Sequence, residues 1–206
     1  MNKVLLVLKV AQVLRLEGGN MYFMAENEYY KIGQTFTQPV LTANGTVGGD
    51  TYAVRSGTVY NNDKQYTTYK AFDGNSSTLW ASRSMAYEWV EFYTPDMIYP
   101  TSIEVTNRPT YQNSFSSGTF YGSLDGVKYF KMGDFTNDNN NPSEIWSVQI
   151  PNPRACKYIR LKVKGFKSTN TIGVIQITIN GNYIEKATQD DYNHVETTKC
   201  YIKGLV

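Results

Sequence analysis

The sequence predicts an all-β fold of the sandwich or barrel class. Three observations carry that expectation. From Thr51 onward, short apolar or alternating runs recur between turn signals, which is the spacing of a sandwich or barrel. No window after residue 35 keeps a helical period. Aromatic residues make up 14% of the chain and 17 residues are Tyr, a stiff amphipathic side chain that suits strands and contact surfaces.

The elements follow in chain order. Val10 to Gly33 reads as two strands around the turn Glu17 to Asn20. A helix over Val4 to Leu16 competes with this, because Lys9, Gln12 and Arg15 recur every three residues; the Gly-Gly turn and the Tyr-rich second arm favour strands. Gln34 to Asp50 holds Pro39 and several Gly and reads as an extended connector. Strands are expected at Glu88 to Tyr93, Thr101 to Asn107, Gly118 to Ser123, Ile145 to Ile150, Lys157 to Val163 and Gly173 to Ile179. Asp125-Gly126 is a turn signal, Asp125 and Asp134 read as turn residues, and Thr136 to Ser143 is a loop by composition. Asn182 to Val206 mixes charge with an apolar end and reads as a separate arm closing in a strand. The expected organisation is a β arm over 1–34, a connector over 35–50, a sandwich over 51–181 and a C-terminal arm over 182–206.

Composition excludes several function classes. A net charge of +2 over 206 residues argues against nucleic acid as an obligatory partner. The single histidine, His194, rules out a multi-His zinc site and lies far from every motif below. Cys156 and Cys200 match no metal spacing; they are free thiols or one staple, and free thiols are expected, because one pair is not a disulfide framework. The apolar run Val4 to Leu8 is too short to span a membrane and meets Lys9. No small-residue cleavage site follows it, so neither a signal peptide nor a membrane partner is expected.

The stretch Lys70 to Ser82, KAFDGNSSTLWAS, places side-chain oxygens at Asp73, Asn75, Ser76, Ser77 and Thr78 around Gly74. An oxygen-rich, tightly turned loop suits a hard cation such as calcium. The same residues equally make an Asx turn that ends a strand.

That loop, followed by EWVEFYTPDMIYPTSIEVTNR, GTFYGSLDGVKYF and KYIRLKV, resembles the discoidin domain, also called the coagulation-factor type C domain. The likeness covers about Tyr52 to Gly181. It implies a galactose-binding-like jelly-roll β-sandwich. It also implies a structural calcium held by the Lys70 carbonyl, Asp73, Asn75, Thr78 and, where many relatives have Glu, Gln176. Trp80 then becomes the core residue that anchors the loop.

The resemblance further implies carbohydrate binding by loops at one end of the sandwich. Arg108 and Asn113 match a recurrent Arg-x4-Asn pattern, and a guanidinium fork and an amide each meet two hydroxyls. Tyr111 and Phe115 flank them, and Arg83 and Tyr87 lie in a loop expected nearby. Alternatively Arg108 pairs with a carboxylate and Tyr111 packs on the sandwich edge. Many galactose binders place a His here, and this chain has none in the sandwich.

Arg154 to Lys167 carries six basic residues and no acidic one. On a strand, Arg160, Lys162 and Lys164 share one face. The expected meaning is a solvated face whose charge discourages edge pairing; the other is a strip for an anionic polymer. No catalytic signature is evident, so no enzyme is expected. The flank from Phe36 to Val54 is similar to bacteriophage virion proteins of the tail-fibre, baseplate or head-fibre type. That implies location in the virion, other virion proteins and a host-surface glycan as partners, and a homo-oligomeric or multi-copy assembly.

Overall fold

A computed structural model describes residues 22–25, 28–82, 87–107, 115–137, 145–166 and 171–186. The chain forms two compact units, Phe36–Gly181 and a smaller one made of Met1–Thr35 with Asn182–Val206.

In the smaller unit, β1 (Tyr22–Ala25) and β2 (Glu28–Phe36), whose last residue belongs to the larger unit, form an antiparallel hairpin, with Tyr22 opposite Lys31 and Ala25 opposite Glu28. The Tyr-rich arm expected as one strand is therefore two. Its separators in sequence are Glu26 and Asn27, a composition suited to a tight hairpin connection. The expected turn at Glu17 to Asn20 and the arm from Val10 lie outside the described residues, as do 187–206 of the C-terminal arm.

The larger unit is an antiparallel β-sandwich, as expected. Its strands are β3 (Ala53–Ser56), β4 (Trp80–Ser82), β5 (Trp89–Asn107), β6 (Phe115–Ser123), β7 (Tyr129–Thr136), β8 (Ile145–Gln149), β9 (Cys156–Phe166) and the part of β10 (Ile172–Lys186) up to Gly181. The first half of β5 pairs antiparallel with β3 and β9, and its second half pairs with β8. Beyond β9 the order continues through β6 to β7, and β10 neighbours β5 and β4. Three single-turn 3-10 helices, Tyr60–Asn62, Lys64–Tyr66 and Thr68–Ala71, link β3 to the loop before β4.

β5 explains how one sheet becomes two layers. The runs Glu88 to Tyr93 and Thr101 to Asn107, expected as separate strands, are one strand of 19 residues. Its register against β9 slips between Tyr93 and Ile98. Pro95 lies in that gap and lacks the N–H a ladder needs. Thr94 Oγ1 donates to the Asp96 carbonyl at 2.9 Å and closes the irregularity locally. Pro95 thus sits at a bulge inside one continuous strand.

Alternation sorts the side chains. Val54, Val90, Phe92, Phe120, Ile159, Leu161 and Val163 are buried between the layers with Phe72 and Trp80. Phe92 is the hub. It is 1% exposed, and its ring centroid lies 5.5 Å from Phe72, 5.9 Å from Tyr52 and 6.2 Å from Phe36. Connector residues thus belong to the core. Leu41 is buried too, and its N–H donates to the Phe72 carbonyl at 2.9 Å. Cys156 is a buried free thiol whose pKa burial pushes well up; Cys200 lies outside the described residues.

Phe92→Ala should cost about 3–5 kcal/mol, the usual effect of emptying a buried ring site. A shift in urea midpoint worth less than about 1 kcal/mol, the size of an ordinary surface change, would show that the core is not organised on this ring.

Candidate functional site

The cation candidates converge. Asp73 Oδ1 accepts from Asn75 N–H at 2.9 Å and its Oδ2 from the Thr78 hydroxyl at 2.7 Å. Asn75 Oδ1 accepts from Ser77 N–H at 2.9 Å, and Thr78 N–H reaches the Asn75 carbonyl at 3.1 Å. Gly74, at φ +66, turns the chain, and its N–H donates to Gln176 Oε1 at 3.1 Å across 102 residues of sequence. Lys70 lies in the 3-10 turn that leads into the loop. These residues form an all-oxygen donor set with one carboxylate, so the set fits a hard cation by type and is weakly charged. It is equally an Asx turn closed by its own hydrogen bonds. Among the described residues no cluster of three or more His, Cys, Asp or Glu could hold a metal.

Of the expected sugar contacts, Arg83, Arg108, Tyr111 and Asn113 lie outside the described residues. Phe115 opens β6 opposite Phe166, and its side chain also falls outside them. Tyr87 is described: it is 69% exposed and its backbone sits at φ +65, a conformation that a bulky residue avoids. The next residue fixes it. Glu88 is buried and fully satisfied: Oε1 accepts from Thr58 N–H at 3.1 Å and Trp89 N–H at 3.0 Å, and Oε2 from the hydroxyls of Thr58 and Ser82. Thr58 also lines a cleft of about 330 Å³ with Asn44, Arg55, Ser56, Asn62 and Thr68. Glu88, next to the strained tyrosine, is thus hydrogen-bonded to Thr58, which lines a cleft of hydroxyl, amide and guanidinium groups.

Sequence reasoning missed the polar centre of the outer sheet face. Glu91, on β5, has a side chain with no exposed surface. Arg160 Nε donates to its Oε2 at 2.9 Å, Arg55 Nε donates to Oε1, and the Tyr129 hydroxyl donates to Oε2 at 2.6 Å. Both guanidiniums lie over the Trp89 ring, at 4.1 Å for Arg160 and 5.8 Å for Arg55. Desolvation, then the Glu91 hydrogen bond, pushes the Tyr129 pKa up to about 12. Burial works against the Arg55 charge, and Glu91 more than offsets it, so its pKa is raised. The available signal was two glutamates, Glu88 and Glu91, in an otherwise apolar strand; a buried carboxylate demands partners.

Asp134 is corrected from turn residue to strand residue: it lies in β7. Thr119 Oγ1 and Lys164 Nζ donate to its Oδ1 at 2.6 and 2.8 Å, and Lys131 Nζ donates to Oδ2. The lysine hydrogen bonds, Lys131 first, hold its carboxyl well below the usual range. Asp125 does make a turn. Its Oδ1 accepts from the N–H groups of Val127 and Lys128, both at 2.8 Å, and these lower its pKa.

Residues 54–178 match the protein family described as F5/8 type C domain. No curated protein matches the chain. Among solved structures, the F5/8 type C domain of a Bacteroides fragilis protein superposes with a TM-score of 0.53 at 20% identity, covering 66% of this chain and 93% of that one. A family 32 carbohydrate-binding module of Clostridium perfringens NanJ, in complex with galactose, gives 0.51 at 15% identity over 65% and 93%. The chitosan-binding module 1 of a chitosanase/glucanase from Paenibacillus sp. IK-5 gives 0.51 at 18% identity over 66% and 95%.

Glu91→Ala should destabilise the sandwich by about 1–3 kcal/mol, because it leaves Arg160, Arg55 and the Tyr129 hydroxyl without their shared carboxylate. The additional substitutions Arg55→Met and Arg160→Met should restore much of that loss in thermal melts. Full stability of Glu91→Ala alone would show that the cluster is not a structural tie.

Proposed function

The chain belongs to the F5/8 type C domain family, and on that basis we propose that its sandwich is a non-catalytic carbohydrate-binding module of a phage virion structural protein, engaging host-surface glycan. The observation that carries the binding role is Tyr87, a largely exposed ring on left-handed backbone, followed by a buried Glu88 that is hydrogen-bonded to Thr58 of a polar cleft. Strain of this kind persists where the surroundings enforce it, and it clusters at ligand sites. The ring offers a face to a sugar, and Arg83, Arg108 and Asn113 supply donors for its hydroxyls, with Tyr111 and Phe115 as further apolar faces. Each such contact exchanges water bonds for sugar bonds at small net gain, so many copies on one particle would act through avidity.

The virion setting rests on the likeness of the Phe36 to Val54 flank to tail-fibre, baseplate and head-fibre proteins. Docking to other virion proteins through the smaller unit and a multi-copy assembly follow from that setting. A second reading, an accessory module of a bacterial enzyme, is favoured by the likeness to the chitosan-binding module of a chitosanase/glucanase.

Calcium belongs to the proposal as a weak structural ion. Asp73, Asn75, Thr78, Gln176 and the Lys70 carbonyl would hold it, and it would stiffen the loop before Trp80.

Tyr87→Ala and Arg108→Ala should each abolish retention on a glycan array and attachment of particles to host cells, with the melting temperature nearly unchanged. Particles that fail to assemble would make these residues subunit contacts, and normal attachment would remove them from the site.

Calcium should raise the melting temperature over that in chelator at matched ionic strength, by mass action on the folded state. Gln176→Glu, which adds a second carboxylate, should enlarge the difference. Identical melts with calcium and with chelator, in both proteins, would leave the loop an Asx turn without a cation.

A further inference from the structure

Arg160 and Lys162 stand at alternate positions of β9, hence on one face and about 6.7 Å apart along the strand; Lys164 falls at a register slip against β6 and joins them through Asp134, which also accepts from Thr119, the cross-strand partner of Lys162. Charge on a strand is ordinarily explained as protection of an exposed edge. That explanation fails for Arg160 and Lys162, because there β9 is hydrogen-bonded on both sides, to β5 and to β6. These two cations lie in the middle of the sheet and have no edge to guard, while Lys164 lies past the last β5 pair, Trp89 with Lys162.

The acidic groups facing the row are Glu91 and Asp134, and each is shared between two cations. Glu91 serves Arg55 and Arg160; Asp134 serves Lys131 and Lys164. Each cluster therefore keeps one unbalanced positive charge. Lys162, between them, has no carboxylate partner among the described residues, and its ammonium stands 5.6 Å from the centre of the exposed Tyr87 ring. Aromatic rings border the row: Trp89 is in register with Lys162 and Tyr121 with Arg160, and Tyr129 lies 4.0 Å beneath the Arg160 guanidinium.

A row of net positive charges flanked by rings fits a polymer that repeats both an anion and a sugar face. Carboxylate or phosphate groups would meet the cations, and pyranose faces would lie on Tyr87 and Tyr121. Lys131, Lys164 and Asp134 are all about half exposed, so their pairings are weak and exchange readily with a ligand anion. We infer that the outer face of β9, running from Tyr87 across Lys162 and Lys164, binds an anionic glycan, a uronate- or phosphate-bearing polymer. This rests on the glycan-binding role proposed above and names its substrate class.

The test is titration calorimetry of the full chain with four probes: polygalacturonate, poly(glycerol phosphate), neutral galactan and polyglutamate. Wild type and Lys162→Gln/Lys164→Gln are compared at low and at physiological salt, with thermal melts as a folding control. The inference expects binding to polygalacturonate or poly(glycerol phosphate) that weakens as salt rises. Which of the two binds identifies the anion. The double variant should bind about tenfold more weakly, from loss of two partly exposed charges, while melting as wild type does. Equal binding by the folded double variant overturns the inference, as does polyglutamate binding as tightly as the glycans. Binding to galactan alone overturns it and leaves the glycan-binding role intact. No binding to any of the three glycans, nor to a wider glycan array, sinks both. If the double variant melts early, Lys162→Gln alone, which breaks no ion pair, decides the matter by the same criteria.

Discussion

The arrangement of the outer sheet face depends on one buried carboxylate. Glu91 sits in β5 with a guanidinium on either side and a phenol beneath. An ionised carboxylate without such partners would be expelled from this position. With them it ties four strands, because Arg55 comes from β3, Arg160 from β9 and Tyr129 from β7. It also fixes register. A slip of one residue would turn the carboxylate into the apolar layer that holds Val90 and Phe92. The same tie sets the direction of Arg160 and so starts the cationic row, and it holds Trp89 against both guanidiniums.

Much of the fold was legible because hydrophobic alternation and turn chemistry act locally. The runs that became β6, β8, β9 and β10 all stood out between turn residues. The misses have physical causes. β4 is three residues of Trp-Ala-Ser, too short to show a period. β7 loses its alternation at Gly133, where the backbone takes φ +140 and a side chain would strike Pro151. β5 was read as two strands because its two apolar runs stand apart in sequence, while long-range pairing with β9 and β8 carries the chain through. The connector looked like a tether, yet Phe36 and Leu41 are buried; a lone apolar residue among glycines does not declare what it packs against.

The site was legible where its chemistry is local and illegible where it is distant. Asp73, Asn75 and Thr78 stand within six residues and announce an oxygen-rich loop. Gln176, 102 residues from Gly74, entered only through the family likeness. Glu91 and its partners were missed because Arg55 is 36 residues away and Arg160 is 69, and no short pattern links them. The basic strand was visible at once. Which of its positions are paired on both sides, as Arg160 and Lys162 are, depends on the partner strands and not on composition.

Cys156 has a consequence of another kind. It begins the interior strand β9, fully enclosed, with its proton held tightly by burial. A thiol in that state is inert to alkylating reagents while the sheet is closed, since only the exposed thiolate reacts. The molecule thus carries an internal clock for its own breathing. The rate at which Cys156 takes up a label counts the openings of the central strand, and slowing of that rate by a bound polymer would measure how firmly the occupant clamps the face above.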